Sequence, residues 1–258
     1  MKLSTIVFLS FFSFAFSLNA NAQVQFIAHR GGSYVAPENT LASAKLGWKL
    51  GADAVEVDIH LSKDNRIMVI HDSNTKRTTG QDYKVQETNS DVLRQLDAGS
   101  LKDEKYKGEK IPFLEEIIDH LPSGQKLVIE LKSRKEIVPF LKNVIDKCGK
   151  KDQLLFICFD WETIVETKKT FPEMGSYWLC GNKEELMKKM QDISANKLDG
   201  IDLKYSIIDQ EVMDQAKKRK LDVVAYTVNN PEEAKRLINL GVKAITTDRP
   251  DWLKSQVY

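Results

Sequence analysis

The chain reads as a (β/α)8 barrel of the TIM type, and three observations predict it. After the first 22 residues, short β-rich runs alternate with longer amphipathic runs, the rhythm of parallel strands joined by crossover helices. Eight strand-like runs follow that rhythm, the number that closes a barrel. With 258 residues and 42% hydrophobic content, the chain can bury one large core. An extra β-hairpin and a loop insertion near the site interrupt the rhythm once.

Strands are expected over residues 25–28, 54–59, 126–131, 154–159, 176–180, 200–203, 222–228 and 243–246. Helices are expected over residues 38–50, 113–120, 136–148, 161–170, 183–193, 210–218 and 231–240. The last is the best delimited: Asn230 precedes Pro231, Glu232 and Glu233 fill the first turn, and Gly241 follows Leu240. Residues 66–71 also read as strand, yet residues 61–65 leave no room for a crossover helix. A parallel return needs a dozen or more residues, so this segment forms an antiparallel hairpin turning near Asp64 and Asn65, with Asp58 opposite His71. Residues 73–111 are polar, with Thr78-Thr79-Gly80 and a short helix near residues 91–96. A connection of that length shapes a substrate site or a lid.

Residues 1–22 carry Lys2, a Phe-rich apolar run from Ile6 to Leu18, and then Ala20-Asn21-Ala22. This is the pattern of a secretory signal cleaved after Ala22, leaving a single domain over residues 23–258. The apolar run falls short of the roughly 20 residues that span a bilayer. Periplasmic or secreted localisation is therefore expected. A formal charge of +1, from 38 basic and 37 acidic residues, argues against nucleic-acid binding through a broad basic surface. No amphipathic helix suited to lying on a membrane is visible, so stable membrane insertion is not expected. Cys148, Cys158 and Cys180 are odd in number, and the last two sit in apolar strand-like runs, so buried free thiols are expected.

The chemistry-bearing residues stand near strand ends. Glu56 and Asp58 are two apart on one strand and point to the same side, where two buried like charges require a cation or a proton. Glu130 would add a third oxygen ligand. Carboxylates without Cys or a His pair at metal spacing favour a hard divalent cation, Ca²⁺ or Mg²⁺. For any one carboxylate alone an ion pair, such as Glu130 with Lys132, is the better explanation, but three acids at strand ends with His29 and His71 in similar positions favour a metal. His29 and His71 suit proton transfer, Arg30 offers a fork of donors to a phosphate, and Gly31-Gly32 lets backbone approach closely. His60 is expected on the side of its strand away from Asp58, and with His120 is read as structural. Tyr226-Thr227-Val228-Asn229 closes a strand where an aromatic, Tyr226, and an amide, Asn229, are placed to line the site, although a strand-end Tyr more often simply packs.

His29-Arg30-Gly31, Pro37-Glu38-Asn39-Thr40, Glu56-Val57-Asp58, His71-Asp72, Arg77-Thr78-Thr79-Gly80, Ile111-Pro112-Phe113-Leu114-Glu115-Glu116, Glu130-Leu131-Lys132, Tyr226-Thr227-Val228-Asn229 and Ala244-Ile245-Thr246-Thr247-Asp248-Arg249-Pro250 occur in that order. Together they resemble the glycerophosphodiester phosphodiesterase family across essentially the whole mature chain. The resemblance implies a TIM-type barrel and divalent-cation-dependent hydrolysis of a small glycerophosphodiester to glycerol 3-phosphate and an alcohol. It implies Glu56, Asp58 and Glu130 as metal ligands and His29 and His71 as the acid/base pair. Arg30 and Lys132 then lie on the phosphate, Tyr226 by the substrate, and Glu38, Asn39 and Asp72 in support. It further implies attack of the glycerol hydroxyl on phosphorus, with water then opening a cyclic phosphate. Tyr226 where the family often has Trp, Phe113 where Thr is common, and Cys158-Phe159-Asp160 in place of Ser-Phe-Asp are departures that bear on head-group selectivity. Two alternatives stay open: a lysophospholipase D or sphingomyelinase D-like lipid phosphodiesterase, and a non-catalytic glycerophosphodiester-binding barrel.

Overall fold

The computed structural model describes residues 23–258, and the segment expected to be a cleaved signal lies outside them. The first half of the chain holds β1 (Gln25–Ala28), α1 (Leu41–Lys49), β2 (Ala54–Leu61), β3 (Ile67–Val69), α2 (Lys76–Thr79), α3 (Ser90–Leu93), α4 (Leu114–Asp119) and β4 (Lys126–Leu131). There follow α5 (Val138–Ile145), β5 (Leu154–Cys158), α6 (Trp161–Thr170), β6 (Gly175–Cys180), α7 (Lys183–Ala195) and β7 (Gly200–Lys204). The chain ends with α8 (Gln210–Lys218), β8 (Asp222–Tyr226), α9 (Pro231–Leu240), β9 (Ala244–Thr247) and α10 (Pro250–Val257). β1 pairs in parallel with both β2 and β9, which closes the eight-stranded ring β1-β2-β4-β5-β6-β7-β8-β9; β3 lies outside, antiparallel to β2.

Strand alternation divides the apolar residues between two cores. Val55, Val57, Ile129, Phe156, Trp178 and Ile245 face outward into the main core, while Ile27, Val128, Ile157, Leu179 and Val224 pack inside the barrel. The helices start where short polar side chains can cap them: Thr40, Asp160, Asn182, Asp209 and Asn230 each accept from a first-turn amide. Gly241, at φ 88, closes α9 in the left-handed region.

Several expectations need correcting. α1 begins at Leu41, not at residue 38, because Thr40 caps it; Glu38 and Asn39 are thereby left in the preceding turn. The helix expected from residue 136 opens as a 3-10 turn over Lys135–Ile137 before α5. α10 has no counterpart in the sequence reading, although Pro250 occupies a favoured first-turn position. The hairpin is present, turning through Asn65 at φ 61, but its register differs by one residue. Leu61 pairs with Ile67 across a five-residue turn, and the Ile70 amide donates to the Asp58 carbonyl at 3.0 Å. Asp58 therefore stands opposite Ile70, with His71 one residue beyond.

His60 also departs from expectation. Two residues along a strand return to the same face, so His60 shares the Asp58 side, and its Nε2 donates to the His71 carbonyl at 3.0 Å. It is structural, as expected, but it braces the backbone of a site residue. The 73–111 insertion has a core of its own, in which Val85, Leu93, Leu96, Ala98 and Ile111 pack on Met68 and Ile70. It is tied to the hairpin by that packing and by Ser90, which bonds both Asp64 oxygens.

Candidate active site

The chain must turn sharply after β1 to reach α1. Arg30, at φ 54, and Gly31, at φ 81, both take the left-handed region. A Cβ at Gly31 would stand 2.4 Å from the Ser43 carbonyl carbon, so only glycine lets this turn pack on the helix. The turn brings the Arg30 amide to Glu56 Oε2 at 2.9 Å, while its guanidinium reaches Glu38 at 2.9 Å and Asp58 at 3.3 Å. Asn39, itself at φ 58, donates to Asp58 Oδ2 at 2.7 Å and accepts from the Asp58 amide at 3.0 Å. Two expected supporting residues, Glu38 and Asn39, thus hold Arg30 and Asp58 in place.

Glu56, Asp58 and Glu130 converge inside the C-terminal mouth of the barrel, with one oxygen of each within 4.8 Å of the others. All three are buried. Lys132 Nζ lies 3.1 Å from Asp58 Oδ1 and 2.5 Å from Glu130 Oε1. The ion pair weighed in the sequence is therefore real and coexists with the cluster. Those two contacts lie at ion-pair distance but outside hydrogen-bond geometry, and Glu56 Oε1 has no partner at all. Burial, then Asp58 and Glu130, raise the Glu56 pKa well above the ordinary range, and burial with Asp58 pushes Glu130 up to about 7. Burial also presses Asp58 upward, but Lys132, Arg30 and His71 outweigh it and hold that carboxyl below its usual value. Three carboxylates facing two shared cations, with an oxygen left over, form a donor set that fits a hard divalent cation.

Each histidine has its own carboxylate. His29 Nδ1 donates to Asp248 Oδ1 at 2.7 Å, and His71 Nδ1 donates to Asp72 Oδ1 at 2.7 Å. With the proton on Nδ1, Nε2 of each ring is left to accept or deliver one. Burial lowers the His71 pKa, against the pull of Asp58 and Asp72, and so favours the neutral ring near pH 7. Arg77, from α2 in the insertion, binds Asp72 at 2.7 Å and Glu38 at 2.7 and 2.8 Å. A continuous ionic chain thus runs from Arg30 through Glu38, Arg77 and Asp72 to His71. Its hydrogen bonds lower the Asp72 pKa.

Tyr226 ends β8 and packs edge-on against Phe159, with ring centroids 5.8 Å apart, and Lys132 Nζ stands 6.0 Å over the Phe159 ring. A cleft lined by His29, Arg30, Ser33, Tyr34, Lys102 and Asp248 opens beside this cluster. All the expected site residues therefore gather at one end of the barrel. Asp248 and Arg77 were not singled out for a role in the sequence, although they stand in the motifs. Asn229 accepts from the Asp248 amide and donates to its carboxylate at 2.6 Å. The signal available for Asp248 was an acid just after the last ring strand. Burial pushes the Cys158 thiol up to about 12 and raises Cys180 too, consistent with inert thiols.

The comparisons with known proteins agree with this geometry. A glycerophosphodiester phosphodiesterase of Caldanaerobacter subterraneus subsp. tengcongensis is 33% identical over 236 residues, covering 88% of this chain and 95% of that protein. A glycerophosphodiester phosphodiesterase of Bacillus subtilis is 30% identical over 247 residues, covering 87% and 83%. An Oleispira antarctica phosphodiesterase, solved with its product sn-glycerol-3-phosphate, superposes with a TM-score of 0.85 at 32% identity, over 90% of this chain and 96% of that one. The pattern of the glycerophosphoryl diester phosphodiesterase family matches residues 29–252, and the chain belongs to that family.

Proposed function

We propose that this chain hydrolyses glycerophosphodiesters to glycerol 3-phosphate and an alcohol, with His29 and His71 as its acid and base and a divalent cation, Ca²⁺ or Mg²⁺, on Glu56, Asp58 and Glu130. The observation that carries the reading is the flanking of a buried, under-compensated carboxylate cluster by two imidazoles, each held at Nδ1 by its own carboxylate. When bound, such a cation neutralises phosphoryl charge and lowers the pKa of an oxygen nucleophile. Arg30 and Lys132 supply donors to the phosphate oxygens from beside the cluster. One neutral imidazole takes the proton of the attacking glycerol hydroxyl at Nε2 and the other, protonated, delivers one to the departing alkoxide, leaving a cyclic phosphate; with the two roles exchanged, water then opens that ring to glycerol 3-phosphate. Asp248 and Asp72 keep both rings in the required tautomer throughout. The test is release of glycerol 3-phosphate from a panel of soluble diesters, with chelator and then Ca²⁺ or Mg²⁺ added back. Turnover restored by a cation supports the reading. Turnover indifferent to chelator removes the cation from it, and no product from any diester overturns it.

A second reading, hydrolysis of lysophospholipids, is favoured by one observation. Tyr34, Leu101 and Phe159 are large apolar side chains exposed around the same mouth. Exposed apolar rims of this kind engage lipid. Tyr34→Ser with Leu101→Ser is expected to lower turnover of micellar lysophospholipid while sparing soluble diesters, and equal effects on both would end this reading. Among the described residues no helix is long and apolar enough to cross a membrane. We also propose export after cleavage at Ala22, supported by the pattern of residues 1–22. The intact mass of the exported protein should begin at Gln23; a retained leader would refute cleavage.

A further inference from the structure

The end of the barrel opposite the carboxylate cluster holds a cavity of about 320 Å³ among the strand starts. Its walls include Ile27, Val128, Ile157 and Val224 from the barrel interior, together with the Tyr177 ring and the carboxyl of Asp202. Ala54, Gly175 and Ala244, also in the lining, leave the space unfilled.

Asp202, on β7, is 2% exposed, its Oδ1 has no hydrogen-bond partner, and among the described residues no lysine or arginine compensates it. A buried carboxyl that feels the negative charge of Glu130 and has no compensating cation is costly to ionise, and the hydrolysis proposed above has no use for it. The lysines at the cavity mouth do not supply the missing charge. Lys243 pairs with Asp222, Lys151 pairs with Asp146, and Lys126 donates to the Asp152 carbonyl. Asp152 and Glu173 at the same mouth balance them further, so the entrance does not repel a cation. Deep carboxylate, aromatic wall and aliphatic lining together match one ligand chemistry.

We propose that this cavity binds a small primary ammonium carrying an apolar body, with the ammonium on Asp202 and the body against Tyr177 and the aliphatic wall. The inference stands apart from the hydrolytic reading, and its test does not read activity. Thermal unfolding of the full chain is followed with n-pentylammonium, 1-pentanol and pentanoate, in the wild type and in Asp202→Asn and Asp202→Leu. The expected result is a concentration-dependent rise of several degrees in the wild-type Tm with the ammonium alone, and at least a tenfold loss of apparent affinity in either variant. Equal shifts from pentanol would make this a site for neutral molecules. An ammonium shift that survives both substitutions would place the binding elsewhere, and no shift in the wild type would leave a water-filled cavity. Each of these overturns the proposal. The ligand comparison on the wild type decides the matter even if a variant fails to fold.

Discussion

The two ends of the barrel hold buried carboxyls under opposite conditions. At the C-terminal mouth, Glu56, Asp58 and Glu130 are surrounded by Arg30, Lys132, Asn39 and a relay of further ion pairs. Toward the N-terminal end, Asp202 has apolar walls, feels only the like charge of Glu130, and among the described residues has no lysine or arginine to compensate it. Burial raises the pKa of a carboxyl in both places, but only at the C-terminal mouth does the protein spend cationic side chains to hold one, Asp58, in its charged form. Three acids with one oxygen of each within 4.8 Å of the others share only two cations, which leaves a donor set with room for a further positive charge. Burial alone does not mark a site; buried acids left without full compensation beside open space do.

The contrast breaks most completely if the three acids are dispensable. Glu56→Ala, Asp58→Ala and Glu130→Ala should each abolish cation-dependent release of glycerol 3-phosphate, and retention of wild-type turnover in any one would return the cluster to simple ion pairing. Next in size, His29→Ala and His71→Ala should each lower turnover by at least about 10²-fold while ligand affinity, measured by calorimetry, changes little. Full activity in both would sink the acid/base assignment. The residues behind the histidines come third. Asp248→Asn and Arg77→Ala should cost roughly 10–100-fold, as is usual for groups that orient the residues doing the chemistry. The loss should appear in kcat rather than KM, and an effect confined to KM would make these residues substrate contacts.

The smallest effect sharpens the electrostatic half of the comparison. Glu130 holds its proton up to about pH 7 in the folded chain and loses it near its ordinary value of 4.5 when unfolded. Its contribution to stability is therefore fully present below 4.5 and is lost as pH rises through about 7, a fall of roughly 3 kcal/mol. Chelator-treated protein should show that decline in denaturant titrations, and added Ca²⁺ or Mg²⁺ should flatten it. A flat profile without cation would mean that Lys132 alone already compensates Glu130.

Local patterns made most of this architecture legible. Strand runs such as residues 25–28 and 126–131 and the capped helix starting at Pro231 appear where apolar period and polar caps coincide. The carboxylate cluster was legible because Glu56 and Asp58 share a strand face and Glu130 stands one residue before the end of the neighbouring ring strand, paired in register with Asp58. Less was readable where long-range pairing decides. The hairpin register depends on how many residues the turn consumes, and the parity of His60 was misjudged although strand alternation settles it. Asp248 lies 219 residues from His29, and no local pattern announces that one orients the other. Arg77 stands in a polar insertion where its charge had many conceivable partners; folding of that insertion onto the hairpin selects Glu38 and Asp72.

β3 has three residues and a single strand neighbour, and it lies outside the ring that stabilises every other strand. Its amides should exchange with solvent through a sub-global opening of hairpin and insertion, well before those of β2 or β4. His71 follows this segment, and its partner Asp72 is anchored from the insertion through Arg77. Proteolytic nicking within residues 73–111 would then silence the chemistry while the far-ultraviolet spectrum of an intact barrel persists. His29 has the durability of the scaffold, and His71 has only that of its loop.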